Sequence, residues 1–254
     1  MNTFTITRRE LSSYFRSPIA YGVMAFFALI SGYFFYVATA YFVQRSVQSA
    51  MMGQSFPMDV NEMVVRPLLS NVSVVGLFLI PMITMRLFAE EKRTGTIELL
   101  VTSPLTDLEI ILGKWLAALV LYAAMLGISM VSLLLLYAYG RPDWKPMLVG
   151  YLGLLLQGGC LLAIGTWIST CTKNQIVAGV ATFGICLLLW VLEWVSSFNS
   201  STTGQVIGYL SVLGHFDSFA KGVLDSKDII YYISVIFIGL FLTARSMESL
   251  RWRT

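Results

Sequence analysis

Long apolar runs alternate with short charged clusters along almost the whole chain. A helix needs about 20 predominantly apolar residues to cross a membrane. Uncharged windows of about that length or longer cover residues 17–44, 67–85, 115–140, 146–172 and 174–192. A sixth window, residues 229–244, is shorter. This helix must either thin the bilayer locally or include Asp228 and Arg245, whose side chains would then extend to the membrane surface.

This pattern predicts an all-α integral membrane protein with six transmembrane helices in a single domain over residues 1–254. The predicted spans are approximately residues 18–43, 66–85, 112–139, 147–171, 174–193 and 228–245. The composition agrees, with 57% apolar and 12% charged residues and a mean hydropathy of +0.75. Ordinary globular proteins have about 25% charged residues. So few charges cannot cover a water-facing surface, which excludes the soluble enzyme classes.

The basic residues orient the predicted spans, because lysine and arginine favour the cytoplasmic side of a membrane protein. Eleven lie in segments that share a side with the two termini, and six lie in the opposite loops. Both termini are therefore expected in the cytoplasm. The charge clusters indicate topology and not a nucleic-acid-binding surface.

The segment between the fifth and sixth spans, residues 194–227, mixes Ser, Thr, Asn and Gly with apolar residues. Its polar groups would be costly in lipid, so we expect a re-entrant or interfacial outer segment and not another span. Two interpretations are open: an outer gate or a surface cap on the bundle. Candidate pathway or gate residues are Glu193, Phe216 and Phe219, although Glu193 could instead reach the outer interface.

The N-terminal residues 4–17 predict an interfacial elbow helix. Thr7-x-x-Glu10 fits a capping box that would start this helix. Leu11, Tyr14 and Phe15 recur at helical spacing, opposite a basic face. The alternative is a frayed tail whose basic residues serve only the orientation of the chain.

Residues 86–108, between the second and third spans, place charged side chains among apolar ones before a Ser103-Pro104 break. Thr106-x-x-Glu109 fits a second capping box, which would start the next helix. We expect a short amphipathic helix whose displacement would tilt both flanking spans. The alternative is a solvated linker.

This segment carries the motif Glu91-x-x-x-Gly95-Thr96-x-Glu98-x-Leu100-x-x-x-Pro104. The motif resembles the coupling-helix signature of type-2 ABC export permeases, in particular the subgroup of the gliding-motility and nitrous-oxide-reductase maturation permeases. Further segments are similar to other parts of these permeases: residues 9–11 and 15–18 to the elbow helix, 169–174 to a second cytoplasmic contact, and 216–228 to the approach to the last span.

The resemblance implies a permease that docks its coupling segment, residues 86–105, into a separate ATPase. The implied coupling residues are Glu90, Glu91, Arg93, Gly95, Thr96, Glu98 and Lys173. Gly95 would allow a break between two helical halves. The sequence has no Gly-x-x-x-x-Gly-Lys-Ser/Thr phosphate loop, so this chain is expected to be no enzyme, and ATP and Mg would belong to the partner ATPase.

The resemblance also implies the assembly: two permease copies as a homodimer, two ATPase subunits and possibly an accessory membrane or extracytoplasmic subunit, in the bacterial cytoplasmic (inner) membrane. The partners are thus other proteins and the lipid bilayer, and nucleic acid is not expected. Three rival functions are a non-transporting scaffold or force-transmitting subunit, a membrane-bound enzyme, which would need a clustered nucleophile, base or metal site, and a secondary transporter. The secondary transporter would be expected to place ionisable residues at mid-bilayer.

Other chemistry is weakly indicated. His215 is the only histidine, which excludes a multi-histidine metal site, and it is expected to be a loop residue. The outer methionines Met51, Met52, Met58 and Met63 have thioethers that suit monovalent copper, although apolar packing is the commoner role. Small residues at Gly159-x-x-x-Ala163 and Gly165-x-x-x-Ser169 predict a tight helix contact, within one chain or across the dimer.

Overall fold

The computed structural model describes residues 2–52, 59–98, 105–139, 142–198, 206 and 208–251. Within them we number nine α-helices in chain order. They are α1 Asn2–Arg16, α2 Pro18–Met52, α3 Arg66–Thr84, α4 Ala89–Thr94, α5 Asp107–Tyr139, α6 Trp144–Cys171, α7 Gln175–Phe198, α8 Phe216–Ala220 and α9 Ser226–Arg251. A short π-helix, Asn61–Val65, leads directly into α3.

Six helical segments are long and apolar enough to cross a membrane: Ala20–Met52, Asn61–Thr94, Asp107–Ala138, Trp144–Cys171, Gln175–Trp194 and Ser226–Ser249. The second of these segments contains both α3 and α4. Because α4 is charged, α3 is the apolar part of the segment. The prediction of an all-α integral membrane protein with six spans is confirmed. We call the side of the bundle at which α4 lies the α4 end and the opposite side the far end.

The first span is longer than the apolar pattern indicates. Its helix continues past residue 43 to Met52 and has 35 residues, about 52 Å at 1.5 Å per residue. That exceeds a hydrocarbon core of about 30 Å. Arg45 does not end the helix, because its guanidinium donates to the Tyr41 hydroxyl one turn earlier, at 2.9 Å.

Helix α6 is the centre of the bundle, in contact with α3, α4, α5, α7, α8 and α9. Its glycines make close approaches possible. A methyl group on Gly158 would lie 2.2 Å from the Tyr122 ring, and one on Gly165 would lie 2.5 Å from Thr84 Oγ1. Gly239 of α9 packs against Ala163. The tight contact predicted for the small residues of α6 therefore lies within one chain.

Two buried or partly buried polar side chains form hydrogen bonds between helices, which satisfies polar groups where no water is available. The Ser73 hydroxyl of α3 donates to Gln157 Oε1 of α6 at 2.8 Å. The Trp115 indole of α5 donates to the Gly159 carbonyl at 3.1 Å. These bonds join α3 and α5 to the same stretch of α6.

The predicted elbow helix forms, but it does not begin at Thr7, where the proposed capping box would start it. Helix α1 begins at Asn2, so Thr7 lies inside it, and the Thr7 hydroxyl donates to the carbonyls of Thr3 and Gly113 at 2.9 and 3.1 Å. The capping-box prediction was wrong because Ile6 packs against Gly113 of α5, and this contact extends the helix toward the N-terminus. The amphipathic prediction is confirmed, since Leu11, Tyr14 and Phe15 pack against the core.

The second capping box is confirmed. The Thr106 backbone N–H donates to Glu109 Oε2 at 3.1 Å, and the Glu109 N–H donates to Thr106 Oγ1 at 3.3 Å. This reciprocal pair satisfies two backbone groups at the start of α5. The Ser103-Pro104 break and Leu100 lie outside the described residues.

Candidate functional site

The start of α4 is held by a side chain from α6. The backbone N–H groups of Phe88 and Ala89 both donate to the Ser169 hydroxyl, each at 3.1 Å. Phe88, the N-cap residue, supplies no side-chain cap of its own. Ser169 is completely buried. It therefore does for α4 what an N-cap side chain does within a helix, and it fixes α4 to the last turn of α6.

Gly95 ends α4. Its φ of 74° lies in the left-handed region, which glycine adopts without the steric cost that a Cβ imposes. The chain then turns, and the Glu98 N–H donates to the Gly95 carbonyl at 3.3 Å. The predicted break at Gly95 is confirmed.

A second bond joins α4 to the same end of α6. The Lys92 ammonium donates to the Thr170 carbonyl. A cation is favourable there, because the last carbonyls of a helix carry partial negative charge. The described start of the predicted coupling segment, residues 88–92, thus contacts residues 169 and 170 of the predicted second cytoplasmic contact.

The closest electrostatic link of α4 is to Lys114, a residue that the sequence reasoning counted only as a positive charge. The Lys114 ammonium lies 2.7 Å from Glu91 Oε1 of α4 and 3.1 Å from Glu10 Oε1 of α1. It also lies 5.2 Å from the centre of the Phe88 ring. Lys114 is 2% exposed, and a buried charge is tolerated only when it is paired. One ammonium thus joins α1, α4 and α5.

The neighbouring Tyr14 remains neutral. Desolvation raises the pKa of its phenol, Glu10 adds to the shift, and Arg86 opposes it. The charges at the junction of α1, α4 and α5 include the Lys114 ammonium, its two carboxylate partners and the nearby Arg86 guanidinium.

The predicted coupling residues divide into two groups. Glu91 turns inward to Lys114, and Glu90 is half-buried, whereas the others are exposed at the α4 end: Arg93, Gly95, Thr96, Glu98 and Lys173. We call these five residues the exposed coupling surface. Its role as a contact for an ATPase stays a prediction.

At the far end, the three predicted gate residues do not lie together. Phe216 and Phe219 of α8 are buried, and Phe219 packs against Gly153 of α6 and the Tyr232 ring of α9. Glu193 instead lines a cavity with His215 and Asp228. A gating role for Glu193, Phe216 and Phe219 stays a prediction.

His215 and Asp228 form a buried pair that the sequence analysis missed. His215 Nδ1 lies 2.7 Å from Asp228 Oδ1, and both residues are buried. His215 lies in the turn that precedes α8, as predicted, whereas Asp228 does not extend outward, because its carboxylate is buried beside the imidazole. The only available signal was a lone histidine followed by an aspartate at the start of an apolar helix.

A second far-end ion pair is more exposed. Asp217 of α8 accepts from Arg66 at the start of α3 at 2.9 Å and pairs with Lys221. Burial acts to raise the pKa of Asp217, but the bonds from Lys221 and Arg66 outweigh it, so the pKa is lowered. This pair ties α8 to α3.

Among the residues that the structure describes, no group of three His, Cys, Asp or Glu side chains could hold a metal ion. Of the outer methionines, Met51 and Met52 are exposed at the end of α2, and Met58 lies outside the described residues. The copper interpretation of these thioethers stays a prediction.

Six apolar spans, of which α6 is the central one, and a short charged helix fastened to α1, α5 and α6 define a multi-pass membrane protein. Residues 4–224 match the family model described as ABC-2 family transporter protein. The chain belongs to this family, which confirms the resemblance to type-2 ABC permeases. Permeases of ABC transporters are membrane subunits without a nucleotide-binding domain of their own. The narrower resemblance to the gliding-motility and nitrous-oxide-reductase maturation subgroup stays a prediction.

Over 169 residues the chain is 25% identical to the probable multidrug ABC transporter permease YbhR of Escherichia coli strain K12. The protein of the same name from Escherichia coli O157:H7 has the same identity and coverage. The aligned region covers 65% of this chain and 44% of each relative. The chain therefore spans less than half the length of the curated relatives that it matches.

Proposed function

We propose that this chain is the permease subunit of an ATP-driven exporter and that α4 passes the motion of a separate ATPase into the bundle. The observation that carries the proposal is the set of contacts of α4. Its exposed residues stand at one end of the bundle, while its buried residues contact α1, α5 and α6 through Lys114, Ser169 and Thr170.

These contacts make α4 a stiff connection. Removing one partner of a buried ion pair costs about 3–5 kcal/mol, so a modest push on α4 moves Lys114 with Glu91 and does not separate them. Lys114 lies in the second turn of α5, and Ser169 lies in the last turn of α6. A displacement of α4 therefore moves two spanning helices, α5 and α6, and through Glu10 it also moves α1.

The rest of the proposal concerns the assembly. The exposed coupling surface faces the cytoplasm, in agreement with the excess of basic residues on the side of the termini. Two copies of the chain act with two ATPase subunits, which bind ATP and Mg, and an accessory membrane or extracytoplasmic subunit completes the complex where one is present. The complex resides in the bacterial cytoplasmic membrane.

The position of the buried charges favours an ATP-driven permease over a secondary transporter. Ion-coupled transporters bind their ions near the middle of the bilayer. Among the described residues, the buried lysine Lys114 belongs to the α4 end and the buried pair His215 and Asp228 to the far end. A non-transporting subunit that only transmits force would share the α4 contacts, and measured transport separates the two.

The test uses the whole chain in its own membrane. The affinity-tagged protein is purified from its native host, and ATPase subunits that co-purify are identified by mass spectrometry. Arg93→Glu and Glu98→Arg reverse charges on the exposed coupling surface, and each is expected to lower both ATPase recovery and stimulated ATP hydrolysis by about tenfold or more. Arg45→Glu, an exposed change at the far end, is the control. If both reversals retain wild-type ATPase recovery, the docking assignment is wrong.

A further inference from the structure

The far end of the bundle contains a cavity of about 440 Å³. It lies where α7, α8 and α9 meet the turn that precedes α8. Its polar lining residues are Glu193, Tyr209, His215, Ser218, Lys227 and Asp228. Successive spanning helices run in opposite directions, so this cavity is on the other side of the membrane from α4. It is separate from the contacts that carry the proposed coupling.

His215 forms one wall of the cavity, where its ring lies between two hydrogen-bond partners. Its Nδ1 lies 2.7 Å from Asp228 Oδ1, and its Nε2 lies 2.9 Å from the Tyr209 carbonyl oxygen. The ring also stacks on Tyr231 with centroids 3.9 Å apart.

Asp228 is left with one oxygen that nothing in the described part of the protein satisfies. The residue is 1% exposed, and Oδ1 accepts from His215. The other oxygen, Oδ2, is buried and has no hydrogen-bond partner among the described residues. A buried carboxylate oxygen without a donor is costly, and such groups in folded proteins usually have a partner. Because Asp228 lines the cavity, a molecule bound there can supply the missing donor.

The charges around the cavity specify the kind of donor. His215 pairs with Asp228, and the Lys227 ammonium lies 3.0 Å from Asp225 Oδ2. Glu193 is the remaining carboxylate in the lining. The cavity thus presents acceptors with a net negative charge, which favours a cation that carries N–H groups. A metal ion fits poorly, since no group of three described His, Cys, Asp or Glu residues could hold one.

We propose that this cavity binds a primary ammonium group, with Asp228 Oδ2 and the Glu193 carboxylate as its acceptors. Two sources share this chemistry: a small amine in solution and the head group of an ethanolamine lipid. The site requires neither the ATPase nor the coupling role of α4, so either proposal can fail without the other.

The first experiment uses the full chain in nanodiscs of phosphatidylcholine, whose quaternary head group has no N–H. Ethylammonium chloride is the probe, and tetramethylammonium chloride is the control of equal charge without a donor. Calorimetric titration is expected to detect saturable binding of ethylammonium and none of tetramethylammonium. Glu193→Gln is expected to weaken the binding by about tenfold or more, because it removes a charged acceptor. Glu62→Gln, an exposed change at the same end and outside the cavity, should bind like wild type.

Asp228→Asn is the second variant. It is expected to abolish the binding, because the asparagine amide places an N–H donor where Asp228 has a carboxylate oxygen. This donor repels the ammonium. If this variant fails to fold, the effect of Glu193→Gln on ethylammonium binding still tests the proposal.

A second arm identifies the source of the ammonium group. Native mass spectrometry of the chain from mixed phosphatidylethanolamine and phosphatidylcholine nanodiscs detects retained lipid. If wild type retains phosphatidylethanolamine and Glu193→Gln does not, the site binds the lipid head group. If ethylammonium binds but no lipid is retained, the site binds a small amine from solution. If neither probe binds, or if binding is the same in wild type, Glu193→Gln and a folded Asp228→Asn, the proposal is overturned.

Discussion

The Glu91 carboxylate lies 2.7 Å from the Lys114 ammonium, although the two residues are on different helices and 23 positions apart. Glu91 also belongs to the motif by which the chain resembles ABC permeases. This carboxylate therefore acts inside the protein, as the connection between the charged helix and the third span. The exposed residues that follow it are left as the surface for a partner.

Replacing the buried ammonium should destabilise the protein strongly. Lys114→Met leaves the carboxylates of Glu10 and Glu91 close together without a counter-charge, and removing one partner of a buried pair costs about 3–5 kcal/mol. Thermal unfolding of the purified protein measures the loss. The triple variant Glu10→Gln, Glu91→Gln, Lys114→Met should recover much of it. If Lys114→Met unfolds like wild type, the three groups do not hold the helices together.

Ser169→Ala should loosen the start of α4. The variant removes the acceptor for the N–H groups of Phe88 and Ala89, and loss of a helix cap costs about 1 kcal/mol. Hydrogen exchange followed by mass spectrometry should show faster exchange in residues 88–94 and little change in α3. Ser12→Ala, an exposed serine on α1, is the control. Unchanged exchange in residues 88–94 would contradict the assigned cap.

Gly95→Ala should be unfavourable by about 1 kcal/mol, because a Cβ is strained at the observed φ of 74°. Gly127→Ala in α5 is the matched control. A Cβ at Gly127 meets nothing within 4 Å, and alanine is favoured over glycine inside a helix. Unfolding temperatures should therefore change in opposite directions. A loss of stability in both variants, or in neither, would show that the turn after α4 does not need a left-handed residue.

Much of the fold follows from local sequence signals. Uncharged windows locate the six spans, and the Thr106-x-x-Glu109 pair marks the start of α5, since the bonds it predicts involve residues three positions apart. Gly95 likewise marks a break that depends on its own backbone. Such features need no knowledge of the tertiary arrangement.

The contacts of the candidate site depend on residues that are distant in the chain. Glu10 is 104 positions from Lys114, and Ser169 is 81 positions from Phe88. Thr7-x-x-Glu10 matched a local rule, yet its side chains contact α5 instead. A spacing rule cannot anticipate this, because packing of α1 against α5 decides the outcome.

The close approach of α3 and α6 can be tested at Gly165. A Cβ there would lie 2.5 Å from Thr84 Oγ1, so Gly165→Ala must displace a buried side chain at a cost of about 1–3 kcal/mol. Gly184→Ala in α7 adds the same methyl group where nothing lies within 4 Å. Thermal unfolding in matched detergent should rank Gly165→Ala clearly below Gly184→Ala. Equal stability would mean that α3 and α6 do not approach each other closely at Gly165.

Acid should remove the contribution of the link between α8 and α3. The lowered pKa of Asp217 means that the folded state favours the ionised carboxylate, which accepts from Arg66 and Lys221. The stabilisation is therefore complete above the pKa of an unfolded aspartate, about 3.9, and is lost as the pH falls through the lower folded value. Asp217→Asn should unfold at a lower temperature than wild type at pH 7, by a small margin because the pair is half-exposed. The two proteins should converge as the pH is lowered toward 3. A difference that persists or grows in acid would show that the Asp217 carboxylate does not stabilise the fold through its charge.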